Sequence, residues 1–180
     1  IHVVGKDILR FHAVYWPAFL MAAKLPLPKR IYAHGWWTNE GKKISKSDGN
    51  VIDPIEIKNQ FGLDQFRYFL IREVPFGNDG DFSKNAIISR INSDLANDLG
   101  NLCQRVISMI YKNCNKKIPS TPSIISKVDE MYLINSWNLY GKINSNIDVQ
   151  NFNEILREIW DVISLANKYI DEQAPWNLKK

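Results

Sequence analysis

Ten consecutive residues, Gly41-Lys42-Lys43-Ile44-Ser45-Lys46-Ser47-Asp48-Gly49-Asn50, contain three lysines, two serines and two glycines. This mixture suits a polyphosphate. Lysine ammonium groups neutralise spread negative charge, hydroxyls donate hydrogen bonds, and glycines let the backbone approach closely. Read alone, the run also fits a solvated surface turn. A second set, Asn97, Asn101 and Arg105, recurs every four residues and so forms one polar row on a helix. Amides and a guanidinium can read the Watson–Crick edges of splayed bases. The plainer reading of that row is the wet face of a helix.

The chain that positions these groups has 180 residues, room for one large domain or two small ones with a real core. Its apolar content of 45% excludes a disordered chain, and its net charge of +4 permits a polyanionic partner without demanding one. On one helix, Cys103 and Cys114 would lie roughly 16 Å apart along the axis, too far for a disulfide. No Cys or His spacing resembles a zinc site. The longest apolar run, Ala13 to Ala23, is too short for a membrane span and carries Pro17. There is no signal-peptide pattern. Ile1-His2-Val3-Val4-Gly5 reads as a strand already under way, so the chain is expected to be a fragment of a longer one.

After that strand, Ile8, Phe11, His12, Tyr15, Phe19 and Ala22 recur at helical spacing. Asp7 is a candidate N-cap, and Pro17 predicts a kink near Trp16. Ile31 to Trp37 reads as a second strand. Strand, helix and strand predict a βαβ unit with a parallel sheet, and ligands bind beyond the carboxyl ends of such strands. Gly5-Lys6-Asp7 and the residues after Trp37 both fall there, which favours the phosphate reading of the lysine run. Short helices are expected over Ile55–Phe61, with Gly62 as its stop, and over Leu63–Arg72. Val74 to Phe82 reads as irregular. From Ser83, a good N-cap, Ile88, Ile91, Leu95, Leu99, Leu102, Val106 and Ile110 trace one apolar stripe. Lys112 to Ser123 is expected to be a loop. Ile124 to about Asn146 and Val149 to Gln173 predict two more helices, ended by Ala174-Pro175-Trp176, in an antiparallel bundle.

Lys43-Ile44-Ser45-Lys46-Ser47 resembles the KMSKS signature of class I aminoacyl-tRNA synthetases, with isoleucine in place of methionine. His2 to Ile8 with Phe11-His12 and Tyr15-Trp16-Pro17-Ala18 is similar to the segment before that loop in the methionyl-tRNA synthetases, and Ala33-His34-Gly35-Trp36 to the strand leading into it. Arg90 to Leu102 resembles the opening helix of that family's anticodon-binding bundle, and Ala174-Pro175-Trp176 its end. The resemblance covers the whole chain and identifies it as the C-terminal half of a member of this family.

The resemblance implies an α/β plus all-α architecture. Residues 1–50 would be the C-terminal part of a Rossmann-type catalytic domain, 51–82 a connecting helical segment, and 83–180 a helical-bundle anticodon-binding domain. It implies ligation of L-methionine to tRNA(Met) through a methionyl-adenylate, with ATP and its Mg2+ as substrate and no metal site in this stretch. Lys46 is then the chief catalytic phosphate lysine and Lys43 its partner. Gly5, Asp7, His34, Gly35, Ser45, Lys46 and Ser47 would bind ATP, with Asp7 on the ribose rather than only a cap. Ile44 would be an apolar anchor. Ile8, His12 and Trp16 would wall the methionine side chain, as against simply packing in a core. Asn97, Asn101, Arg105 and Trp176 would read the anticodon, Trp176 by stacking. The family's HIGH signature and any zinc-bearing insertion would lie in a missing N-terminal half, so the isolated chain is expected to be inactive. The cytoplasm or the mitochondrial matrix is the expected compartment, with no membrane partner. The competing readings are a non-catalytic tRNA-binding module and a class I enzyme for isoleucine, valine or leucine.

Overall fold

The computed structural model describes residues 1–45, 47 and 49–177. The chain divides into two compact units, Ile1–Ile87 and the residues from Ile88 on.

In the first unit, strand β1 (His2–Gly5) pairs in parallel with β2 (Ile31–His34), His2 opposite Ile31 and Gly5 opposite His34. The crossover is one helical run: a 3-10 turn at Lys6–Ile8, a π-helical stretch at Phe11–Tyr15, and α1 (Trp16–Ala22). Pro17 lies in the first turn of α1. It has no N–H to return to the preceding turn, and the wide π turn absorbs that loss. The expected kink near Trp16 is thus a π stretch just before it. Asp7 is not the N-cap: Gly5 is, without a side-chain hydrogen bond, and Asp7 sits inside the first turn.

The expected single strand from Ile31 to Trp37 is two strands in two sheets. Strand β2 ends at His34, and β3 (Trp37–Asn39) is the centre of a second sheet. There β4 (Lys42–Lys43) pairs antiparallel with β3, and β5 (Gly80–Phe82) pairs parallel with it. Glu40 and Gly41, both at positive φ (50° and 74°), form the two-residue hairpin turn between β3 and β4. The segment ending at Phe82, expected to be irregular, therefore holds a strand. Three residues of mixed polarity carry no period, and their partner lies some 43 residues upstream.

Helix α2 (Pro54–Phe61) starts at Asp53, whose Oδ1 accepts from Ile55 N at 2.8 Å, and ends at Gly62 with φ 95°. Helix α3 (Leu63–Glu73) follows and delivers Phe69, which is fully buried. Phe69 meets Phe82 edge-to-face at 5.7 Å and lies 6.1 Å from Trp37. Each such ring contributes about 1.5–3 kcal/mol by leaving water, and this centre holds the second sheet against α3.

The second unit is helical. It begins within α4 (Lys84–Arg90), which Ser83 of the first unit caps, its Oγ accepting from Ala86 N at 3.0 Å. A π-helical stretch, Ile91–Gly100, leads into α5 (Asn101–Asn113). The expected even stripe from Ile88 to Ile110 is therefore interrupted by wider turns. Helices α6 (Lys127–Asp148) and α7 (Phe152–Gln173) have 22 residues each and are joined by a three-residue connection, so they run antiparallel. A capping box of Ser126 and Asp129 opens α6, leaving Ile124 and Ile125 outside the helix expected to include them. Ile155, Trp160 and Ile170 of α7 are buried, as is Asp94 of the π stretch. Trp160 Nε1 donates to the Asp94 carbonyl at 3.2 Å, and Asn167 Nδ2 to the Asp98 carbonyl at 3.1 Å. Two carbonyls of the widened helix thus find side-chain donors on α7.

Candidate functional site

At the carboxyl ends of β1 and β2 the register sets Gly5 beside His34. The Asp7 carboxylate lies over Gly5, in the space a Cβ there would occupy, and that Cβ would be 3.7 Å from His34 Cε1. Gly5, Asp7 and His34 therefore share one small recess. His34 Nδ1 donates to the Gly35 carbonyl at 2.9 Å. Gly35 itself is buried against the main chain of Asn78 and Asp79. Its part in the site is to let that loop come close.

That approach assembles a cluster absent from the sequence expectations. Asp79 accepts both from Lys6 Nζ, at 2.5 and 2.6 Å, and from Trp36 N at 2.8 Å. These donors hold its carboxyl below the ordinary value, the Lys6 hydrogen bond most of all and then the Trp36 amide. The Lys6 ammonium stands 4.3 Å from the Trp36 ring centroid and the Lys43 ammonium 5.7 Å. Two lysines from separate segments are thus gathered around one indole ring. Lys6 and Asp79 reach each other across 73 positions, and the irregular reading of residues 74–82 gave no sign of that contact.

The lysine-rich stretch leaves β4 and is held at its base. Asp81 accepts from Gly41 N at 2.7 Å and from the Thr38 hydroxyl, bracing the hairpin. Both donors lower its carboxyl's pKa, the Thr38 hydroxyl more than the Gly41 amide. Asn50 bonds to Lys43 and Ser45, and the Ser45 and Ser47 hydroxyls share a hydrogen bond at 2.6 Å. Lys43 is exposed and Ile44 half-buried. Lys46, the expected chief catalytic lysine, lies outside the described residues.

A cleft of ≈ 380 Å³ is lined by His2, Phe11, His12, Tyr15, Trp16 and Phe19. It includes His12 and Trp16 of the expected methionine pocket. Ile8 contributes its carbonyl instead, which accepts from His12 Nδ1 at 3.0 Å and fixes that ring. The helical spacing did contain Phe11, Tyr15 and Phe19; His2 arrives only through the parallel crossover.

In the helical unit Arg105 forms an ion pair with Asp171, and its guanidinium carbon lies 6.0 Å from the Trp176 ring centroid. Trp176 sits in a 3-10 turn, Pro175–Asn177, after a left-handed Ala174 (φ 41°) that ends α7. The structure brings Arg105 and Trp176 together and adds Asp171, which helical spacing alone did not flag. Asn97 and Asn101 are exposed on the preceding turns. Among the described residues no three His, Cys, Asp or Glu side chains are grouped to hold a metal ion. Among them, too, no helix is long and apolar enough to cross a membrane.

The family model for tRNA synthetases class I (M) matches residues 1–107. The chain is 57% identical over 182 residues to the methionine--tRNA ligase of Rickettsia conorii, covering 100% of this chain and 36% of that protein. It is 54% identical to the methionine--tRNA ligase of Brucella suis, covering 99% and 35%. The crystal structure of Mycobacterium tuberculosis methionyl-tRNA synthetase bound by methionyl-adenylate superimposes with TM-score 0.94 at 49% identity, over 99% of this chain and 35% of that one. Its free-state structure gives 0.89 at 46% identity, over 99% and 34%. The chain thus spans about a third of the length of these relatives, and the expected description as a C-terminal half is not kept.

Proposed function

From the premise that this chain belongs to the class I tRNA synthetases (M), we propose that it serves the ATP-dependent ligation of L-methionine to tRNA(Met). The observation that carries this reading is the recess of Gly5, Asp7 and His34 at the strand ends, in the same unit as the clasped lysine stretch and the aromatic cleft. Residues 1–50 form part of a Rossmann-type catalytic domain, 51–82 a connecting segment, and 83–180 an anticodon-binding helical bundle. Relatives bearing the methionine enzyme's name favour that specificity over isoleucine, valine or leucine.

In the reaction the methionine carboxylate attacks the α-phosphorus of ATP. The bond to the β-phosphate breaks, pyrophosphate leaves, and methionyl-adenylate forms. The aminoacyl group then passes to the hydroxyl at the tRNA 3′ end and AMP is released. Mg2+ enters with ATP as part of the substrate. Asp7, beside Gly5, accepts from the ribose hydroxyls, and His34 lines the same recess. Lys43 and Lys46 neutralise charge growing on the departing pyrophosphate, while Ser45 and Ser47 donate to its oxygens. Such contacts, strongest in the transition state, raise the rate rather than only the affinity. His12, Trp16 and their aromatic neighbours enclose the polarizable thioether. Asn97, Asn101 and Arg105 read anticodon bases and Trp176 stacks on one.

The test is methionine-dependent exchange of pyrophosphate into ATP by the enzyme that carries this chain. Lys46→Ala should lower exchange by about 100-fold or more, the scale for losing a transition-state charge contact, with tRNA affinity little changed. Unaltered exchange would remove the lysine stretch from the mechanism.

A further inference from the structure

We infer that Asn50 is a positioning residue for the phosphate-binding loop, an inference that rests on the adenylation reading of this site. Three hydrogen bonds converge on it. Its Nδ2 donates to the Lys43 carbonyl at 2.9 Å, and its Oδ1 accepts from Ser45 N at 2.8 Å. Its own carbonyl accepts from Asn39 Nδ2 at 2.8 Å.

A carboxamide presents one donor face and one acceptor, as a peptide group does. Strand β4 is two residues long and lies at the edge of its sheet, with β3 on one side only. Where the ladder stops, the Asn50 side chain takes over as the partner strand, pairing with the main chain on both sides of Ile44. Asn39 of β3 is the register partner of Lys42, and it ties the loop exit to the same hairpin. Entrance and exit of residues 44–49 are therefore fixed to one frame, itself braced by Asp81 through Gly41 N.

The consequence is for catalysis more than for folding. Asn50 is outside the Phe69 core and half-exposed. A lysine that must meet charge developing on a leaving group gains most from a pre-set main chain, because small misplacements cost rate steeply. The side chain must both donate and accept. Aspartate keeps the bond from Ser45 N but sets a carboxylate oxygen against the Lys43 carbonyl, and alanine removes both bonds.

The experiment measures pyrophosphate exchange in the enzyme that carries this chain, with rates normalised to active sites counted by methionine binding. Asn50→Ala should lower kcat for exchange by about 10- to 100-fold, the equivalent of two lost hydrogen bonds at a charged site. Asn50→Asp should fall between it and the parent, and Asn39→Ala, which removes only the exit tie, should be milder than Asn50→Ala. Methionine-binding stoichiometry and KM for methionine should be unchanged. An undiminished kcat in Asn50→Ala overturns the inference. So does a loss of methionine-binding sites in proportion to the loss of rate, which marks a folding role. Absence of exchange in the parent enzyme instead defeats the adenylation reading itself.

Discussion

The main chain of Asn78 fills the space that a side chain on Gly35 would need. A Cβ on Gly35 would overlap the Asn78 carbonyl group and come within 2.6 Å of Asp79 N. The obstacle is backbone, so it cannot rotate aside. Gly35→Ala should destabilise the first unit by about 1–3 kcal/mol, the usual cost of overpacking. It should also push Asp79 away from Trp36 N and Lys6. Urea unfolding, together with KM for ATP, checks both effects. An alanine variant of wild-type stability would show that the 78–79 loop moves freely.

Asp79 should make stability depend on pH on the acid side. Its carboxyl titrates below the ordinary 3.8 because Lys6 and the Trp36 amide hold the charged form. The folded-state value lies under the unfolded one, so the contribution is full above the unfolded value. It is lost as pH falls through the folded one. Asp79→Asn should be less stable than the parent at neutral pH, with the gap closing in acid. Thermal unfolding across that range measures the gap, and a gap independent of pH would contradict the pairing.

Tyr169 offers the mirror case. Its hydroxyl donates to Asp129, which pushes its pKa up to about 12. The folded value is raised, so the contribution is full below the unfolded value and fades as pH rises through the folded one. In ultraviolet titration Tyr169 should ionise late, as should Tyr132, which burial pushes up, and Asp129→Asn should bring the Tyr169 transition down.

In the helical unit, Trp160→Phe keeps most of the buried ring but leaves the Asp94 carbonyl without the indole donor. A loss of about 0.5–1.5 kcal/mol is expected, the net worth of one hydrogen bond. Chemical denaturation checks it; a change under 0.5 kcal/mol, roughly the scale of a neutral surface substitution, would mean the bond is replaced.

Arg105 and Trp176 make separable predictions for a CAU anticodon stem-loop. Trp176→Ala should weaken binding by about 1–3 kcal/mol, the worth of one stacked base, and Trp176→Phe should recover part. Arg105→Lys keeps the charge and so the salt dependence, yet loses the planar fork that Asp171 and Trp176 hold. Arg105→Ala should reduce both affinity and salt slope. Binding isotherms at several salt concentrations distinguish the three, and equal affinity for all would place recognition elsewhere.

Much of the helical layout was legible from local signals. Ser83 as a cap, Gly62 as a stop and the stripe from Ile88 to Ile110 act within a few residues of themselves, so local signals report them. The break of the second strand at Gly35 was only half legible: a lone glycine within Ile31 to Trp37 signals a bulge or a close approach, but not that the run divides between two sheets. Only the arrival of Asn78 from elsewhere ends it. The π stretches escaped for a related reason. Helix spacing tolerates a widened turn, and what stabilises Ile91–Gly100 includes donors on α7 more than sixty residues away.

By itself the sequence determined the chemistry on offer: a lysine–serine–glycine run for phosphate, a carboxylate after a strand, an amide and guanidinium row, and aromatics at helical intervals. These are properties of residue type and near spacing. Tertiary structure alone decided which groups meet. It set His34 against Gly5 and Asp7, carried Asp79 to Lys6 and Trp36, and brought Trp176 to Arg105. The reason is physical: these pairings are fixed by strand register, a glycine-sized gap and the end of a long helix. Each depends on where distant segments pack, which no local window of the chain specifies.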